Sequence, residues 1–176
     1  MADELGTGEI VGPIDALRQI IAGCPSWQAW CETSDSAVGL AHTYRIGLPL
    51  PEKGANRDYR RDELEALRPF AIVDTSPFGE NFNLTLYTED GGYLERGNLL
   101  VIFEVPVPEA DLLDEAAAKW NFLVKLGAFV SEMRAAMGQG LRITTFGIDE
   151  SARTAVEDLE TQGDRWIVLA RVGYAV

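Results

Sequence analysis

Apolar residues recur along this chain with two periods, and the changes between them mark the elements. Ile14, Leu17, Ile20 and Ile21 follow Gly12-Pro13 at helical spacing, which predicts a helix with Pro13 at its first position. Gly23-Cys24-Pro25 ends it, and residues 26–32, with Trp27, Trp30 and Cys31 apolar, read as a further short helical turn before a polar exit at 33–36. Residues 42–47 read as a short strand with Tyr44 and Ile46 on one face. Residues 69–74 have the apolar centre of a buried strand, and residues 81–88 alternate most cleanly, with Phe82, Leu84 and Leu86 on one side. Leu99 to Val107 is the strongest buried-strand pattern, beginning after Gly97-Asn98 and stopped by Pro106 and Pro108. Residues 141–148 and 165–176 read as two more strands.

A long helix lies between the strand regions at 99–107 and 141–148. Asp111 or Asp114 caps its start, Glu115 adds negative charge there, and Met137-Gly138 closes it. Trp120, Leu123, Val124, Gly127, Val130 and Met137 recur on one broad face, which is expected to pack inward. Trp27, Trp30, Trp120 and Trp166 are all expected in the core.

The connections carry the rest of the character. Residues 1–11 read as a mobile lead-in, and 49–68 as a long surface excursion with one helical turn over 62–67. Residues 149–164 hold six acids (Asp149, Glu150, Glu157, Asp158, Glu160, Asp164) against one base, Arg153. Ala152, Ala155, Val156 and Leu159 leave both a short amphipathic helix and a mobile acidic loop open there. Helices and strands are segregated rather than alternating. The expected architecture is a single α+β domain over 1–176, with a mostly antiparallel sheet of about five or six strands carrying the N-terminal helix and the long helix on one face.

Charge narrows the function. The 176 residues include 15 Lys and Arg against 28 Asp and Glu, for a net charge of −13. Nucleic-acid modules and anionic-membrane binders neutralise phosphates with clustered cations, so neither class is expected. The longest apolar runs, such as Leu99 to Phe103, fall far short of the ~20 residues that span a bilayer. Asp3, Glu4 and Glu9 stand where a secretory leader carries bases, so an intracellular product is expected.

Candidate chemistry is sparse. Cys24 or Cys31 with the single histidine, His42, is the one nucleophile–base set on offer, and neither cysteine has a flanking catalytic motif. The same three residues match no zinc spacing, and buried reduced thiols are the expectation. Gly6-Thr7-Gly8 follows no strand, and Gly138-Gln139-Gly140 closes a helix rather than opening one, so neither makes a phosphate cradle. No cofactor, no metal and no catalytic activity are expected, which moves weight toward binding or assembly.

The order of elements resembles the tail terminator, or tail-completion, proteins of long-tailed bacteriophages and prophages. The resemblance rests on Ile14-Asp15-Ala16-Leu17-Arg18 through Ser26-Trp27-Gln28-Ala29-Trp30, and on Pro69-Phe70-Ala71-Ile72-Val73 after a variable loop. It continues with Gly97-Asn98-Leu99-Leu100-Val101-Ile102-Phe103 before a long helix. It ends on Leu141-Arg142-Ile143, an acidic connector and Gly163-Asp164-Arg165-Trp166-Ile167-Val168-Leu169-Ala170-Arg171-Val172. The 49–68 stretch has no counterpart in that pattern.

The resemblance implies a structural virion protein without cofactor. Such proteins form a homo-oligomeric ring, commonly a hexamer, on the tail tube at the tail–head junction. Their partners are the tail tube protein and the head–tail connector, and DNA passes through the lumen only as cargo. Assembly takes place in the host cytoplasm. A ring needs two complementary patches per subunit. Arg57, Arg60 and Arg61 against Glu157, Asp158 and Glu160 are the expected protein-interface residues. Another neck protein, an acidic adaptor for a basic partner and a small Cys- or carboxylate-dependent hydrolase are the alternatives.

Overall fold

Proline and glycine set the N-terminal helices. The computed structural model describes residues 11–49, 59–75, 96–108, 114–136, 142–153 and 165–175. Helix α1 (Val11–Gly23) begins two residues before Pro13 rather than at it. First-turn amides have no intrahelical acceptor, so the missing N–H does no harm there. Pro25 then takes the first position of α2 (Pro25–Trp30). A third helix, α3 (Ser36–Ala41), follows the polar exit at 33–36 where the sequence suggests no element, capped by the Asp35 carboxylate accepting from the Ala37 N–H at 2.8 Å. Gly39 lets α3 lie against α1, because a Cβ there would sit 3.1 Å from the Ala22 carbonyl oxygen. Its own carbonyl accepts from Trp27 Nε1 at 3.0 Å, which satisfies the polar end of a fully buried indole.

Strand β1 (Thr43–Arg45) is shorter than the pattern suggests. Ile46 adopts φ 65°, a conformation that a β-branched residue rarely takes, so it leaves the strand instead of sharing a face with Tyr44. Helix α4 (Arg61–Leu67) occupies the expected helical turn and leads into β2 (Phe70–Thr75). β3 (Arg96–Pro106), the long helix α5 (Glu115–Ala135), β4 (Arg142–Arg153) and β5 (Arg165–Ala175) follow. The clean alternation at 81–88 lies outside the described residues.

The fold is α+β, with a five-stranded sheet in the order β1-β2-β3-β5-β4. Among the described strands, β1 and β2 pair parallel and the other three pairings are antiparallel. β3 and β4 therefore run the same way, joined by α5, and β5 inserts between them as the centre of the C-terminal half. β4 is longer than the sequence suggests. It continues through Asp149 and Glu150 to Arg153, into what reads as an acidic connector. Register shifts between Ile143 and Thr145 and between Ile148 and Glu150 break its alternation and hide the strand from a period-two reading.

One face of the sheet makes the core. Val73, Val101, Phe103, Val168 and Val172 point there and pack under Ile14 and Leu17 of α1, Trp27 of α2 and Phe129 of α5. The side of α5 that packs differs from the expectation. Ala118, Phe122, Leu126, Phe129 and Met133 are buried, whereas Trp120, Leu123 and Val124 face solvent. The reason lies in ring packing: Phe122 stacks on Trp166 at 4.3 Å, and Phe129 sits edge-on to Phe103 at 5.1 Å and to Phe146 at 6.2 Å.

Ionic clusters tie elements together on both sides of the sheet. Asp15 on α1 accepts from Arg45 Nε at 2.6 Å and Arg45 Nη2 at 2.7 Å, and from Arg18 Nη1 at 3.0 Å. Burial alone would raise the Asp15 pKa, but the bonds from Arg45 and Arg18 outweigh it and hold the carboxyl below its usual range. On the opposite side of the sheet, Arg68 and Arg165 share Glu104 at 3.2 and 3.1 Å, with both arginine side chains nearly inaccessible. Burial of its guanidinium lowers the Arg68 pKa against the pull of Glu104.

Candidate assembly surface

Helix α5 is anchored at both ends by charge. The Asp114 carboxylate accepts from the Ala117 N–H at 3.0 Å, Glu115 lies in the first turn, and Arg134 lies in the last, each sign suited to its end of the helix dipole. Near the C-terminal end, Glu132 reaches α2 and accepts from the Ser26 N–H at 2.9 Å and the Ser26 Oγ at 2.7 Å. That bond supplies the cap which Cys24, at the α2 N-cap, does not.

The outer side of α5 is unusual for a helix in water. Advancing 100° per residue, it presents Ala116, Trp120, Leu123, Val124, Gly127 and Ala128 as one strip. Trp120 is 69% exposed, Val124 56% and Leu123 43%. A solvent-facing strip normally carries charge. Here the only charged residues from Ala116 through Ser131 are Lys119 and Lys125, and helical geometry puts one on each margin of the strip. Beside it, Pro108, Trp120, Asn121, Val124 and Lys125 line a groove of about 470 Å³.

The residues considered for nucleophilic chemistry are engaged elsewhere. Cys24 is buried, with Sγ 3.3 Å from the Ile20 carbonyl oxygen and 3.6 Å from Met133 Sδ. Burial, reinforced by the Glu132 charge, pushes its thiol up to about 12. Burial likewise pushes the half-buried Cys31 thiol up to about 12. Reactive cysteines show the opposite displacement, because the thiolate is the nucleophile. The His42 ring places Nδ1 2.7 Å from the Pro69 carbonyl oxygen, which can only accept, so that nitrogen carries the proton. Among the described residues no group of three or more His, Cys, Asp and Glu is placed to hold a metal. No helix among them is long and apolar enough to cross a membrane.

Of the expected interface residues, Arg60 and Arg61 fall on described backbone. Arg60 is the exposed N-cap of α4, its N–H donating to Glu63 Oε2 at 2.9 Å, and Arg61 opens that helix. Arg57, Glu157, Asp158 and Glu160 lie outside the described residues. The α5 strip was visible in the sequence as an apolar cluster and assigned to the core. The missing signal was that α5 carries two apolar stripes, only one of which the sheet can cover. No known family model matches the chain, and no curated protein matches it in sequence.

Proposed function

We propose that this chain is a structural assembly subunit of the tail-terminator type. Copies build a ring, a hexamer in the form the resemblance implies, which caps the tail tube and joins it to the head. The observation that supports the reading is the uncharged outer strip of α5 around Trp120, Leu123 and Val124. Exposed apolar area of this kind stabilises association when covered, at roughly 25 cal/mol per Å² removed from water. The net charge of −13 suits the role, since an acidic lumen repels the phosphates of passing DNA. The subunit then acts at the tail–head junction of the virion, with the tail tube protein and the connector as partners.

The test is negative-stain imaging of the purified chain, paired with its mass by light scattering. Closed rings with a central hole are the expected result. A mass equal to one chain at every concentration, with and without added tail tubes, contradicts the proposal.

A further inference from the structure

The α5 strip has a charge pattern that bears on what covers it. α5 holds three cations (Lys119, Lys125, Arg134) and two acids (Glu115, Glu132) in a chain of net −13. Lys125 lines the groove together with Trp120 and Val124, and helical geometry puts Lys119 on the opposite margin of the strip. This helix face is thus apolar at its centre and basic at its rim, on a molecule that is acidic as a whole. We infer that the α5 groove seats an acidic surface of a second copy of this chain, in a front-to-back contact rather than across a two-fold axis.

Two identical chains at −13 repel each other, so a stable contact has to neutralise charge locally. A two-fold contact would lay one α5 strip on another, and each pair of lysines would meet the same pair. Like charges facing each other at an interface oppose association. A front-to-back contact brings Lys119 and Lys125 to carboxylates instead, while Trp120 fills the apolar centre as an anchor of the kind that dominates binding energy. It also leaves the second copy's own groove open. Association then continues past two subunits until the rotation closes a ring.

This inference rests on the assembly reading, and one experiment separates the two. The mass of the full-length chain is measured by light scattering across a concentration series, at about 50 mM and about 500 mM NaCl, a range over which surface charge is progressively screened. The same series is run on Trp120→Ala and on the double variant Lys119→Glu/Lys125→Glu, with circular dichroism confirming that both fold. The expected result is a species larger than a dimer that weakens with salt. Trp120→Ala should raise the concentration needed for assembly by about tenfold or more, as an anchor residue does. The lysine reversal should do the same at low salt and by less at high salt. Assembly that persists unchanged in both variants overturns the inference and leaves the assembly reading standing. A mass that stops at a dimer overturns the front-to-back contact. A chain that stays monomeric at every concentration overturns the inference, and one that does so with tail tubes added as well overturns the assembly reading too.

Discussion

The two sides of α5 carry similar hydrophobicity and opposite fates. The inner side, Phe122, Leu126, Phe129 and Met133, is sealed against the sheet, and the outer side, Trp120, Leu123 and Val124, meets water. Periodicity marks both as stripes and does not rank them. What ranks them is the partner surface. Phe129 finds the rings of Trp30, Phe103 and Phe146 within 6.2 Å, and Phe122 finds the flat face of Trp166. The outer stripe has no such partner within the described residues. A helix hydrophobic on both sides implies either burial in a larger core or cover by another molecule.

The comparison can be broken by substitution, beginning on the inner side. Phe129→Ala should cost about 3–5 kcal/mol in a urea unfolding titration, since it removes a fully buried ring from an aromatic cluster. Trp120→Ala removes a larger side chain, so an equal loss there would erase the distinction between the two sides.

Glu132 tests how the inner side is tied to the N-terminal helices. Glu132→Ala leaves the Ser26 N–H and Oγ without their acceptor, and should cost about 1–2 kcal/mol in the same titration. A loss below about 0.3 kcal/mol would mean that solvent replaces the carboxylate freely.

The burial of Cys24 gives a pH signature. Both thiols have folded pKa values raised by burial, from 9.0 to about 12. The folded state therefore holds these protons while the unfolded state loses them. The two thiols leave stability intact below pH 9 and erode it as pH rises from 9 toward 12. Thermal melts should fall over that window, and less steeply in Cys24→Ala than in the parent chain. Identical slopes would show that Cys24 is more open to water than its position beside Met133 indicates.

The smallest effect belongs to the outer side. Trp120→Ala should change the unfolding free energy of the dilute chain by no more than about 0.5 kcal/mol, the usual range for a surface substitution. The contrast with Phe129→Ala is the quantitative form of the two-sided helix.

Much of the architecture was legible in the residues, for reasons that also explain the exceptions. Pro25 and the Gly23-Cys24 break announced the division of α1 from α2, and the apolar runs of β3 and β5 announced two buried strands. α3 was not legible, because it is six residues long with a glycine inside, and only the Asp35 cap marks it. The far half of β4 was hidden by two register shifts and by Asp149-Glu150, which suit a connector as well as an edge strand. The α5 surface was half legible. Trp120, Leu123, Val124 and Gly127 do share one stripe, but Val130 packs against the core and Met137 lies outside the described residues, and which side of α5 is covered depends on rings in β3, β4 and β5, far away along the chain.

The central claim, that the outer side of α5 is covered on assembly, is tested most directly by tryptophan fluorescence with acrylamide as quencher. The signal of Trp120 is isolated as the difference between the parent chain and Trp120→Phe, in dilute and in concentrated samples. The account predicts that Trp120 is readily quenched when the chain is dilute and protected when it is concentrated, while the buried Trp27 is protected in both. Equal quenching of Trp120 at every concentration would contradict it.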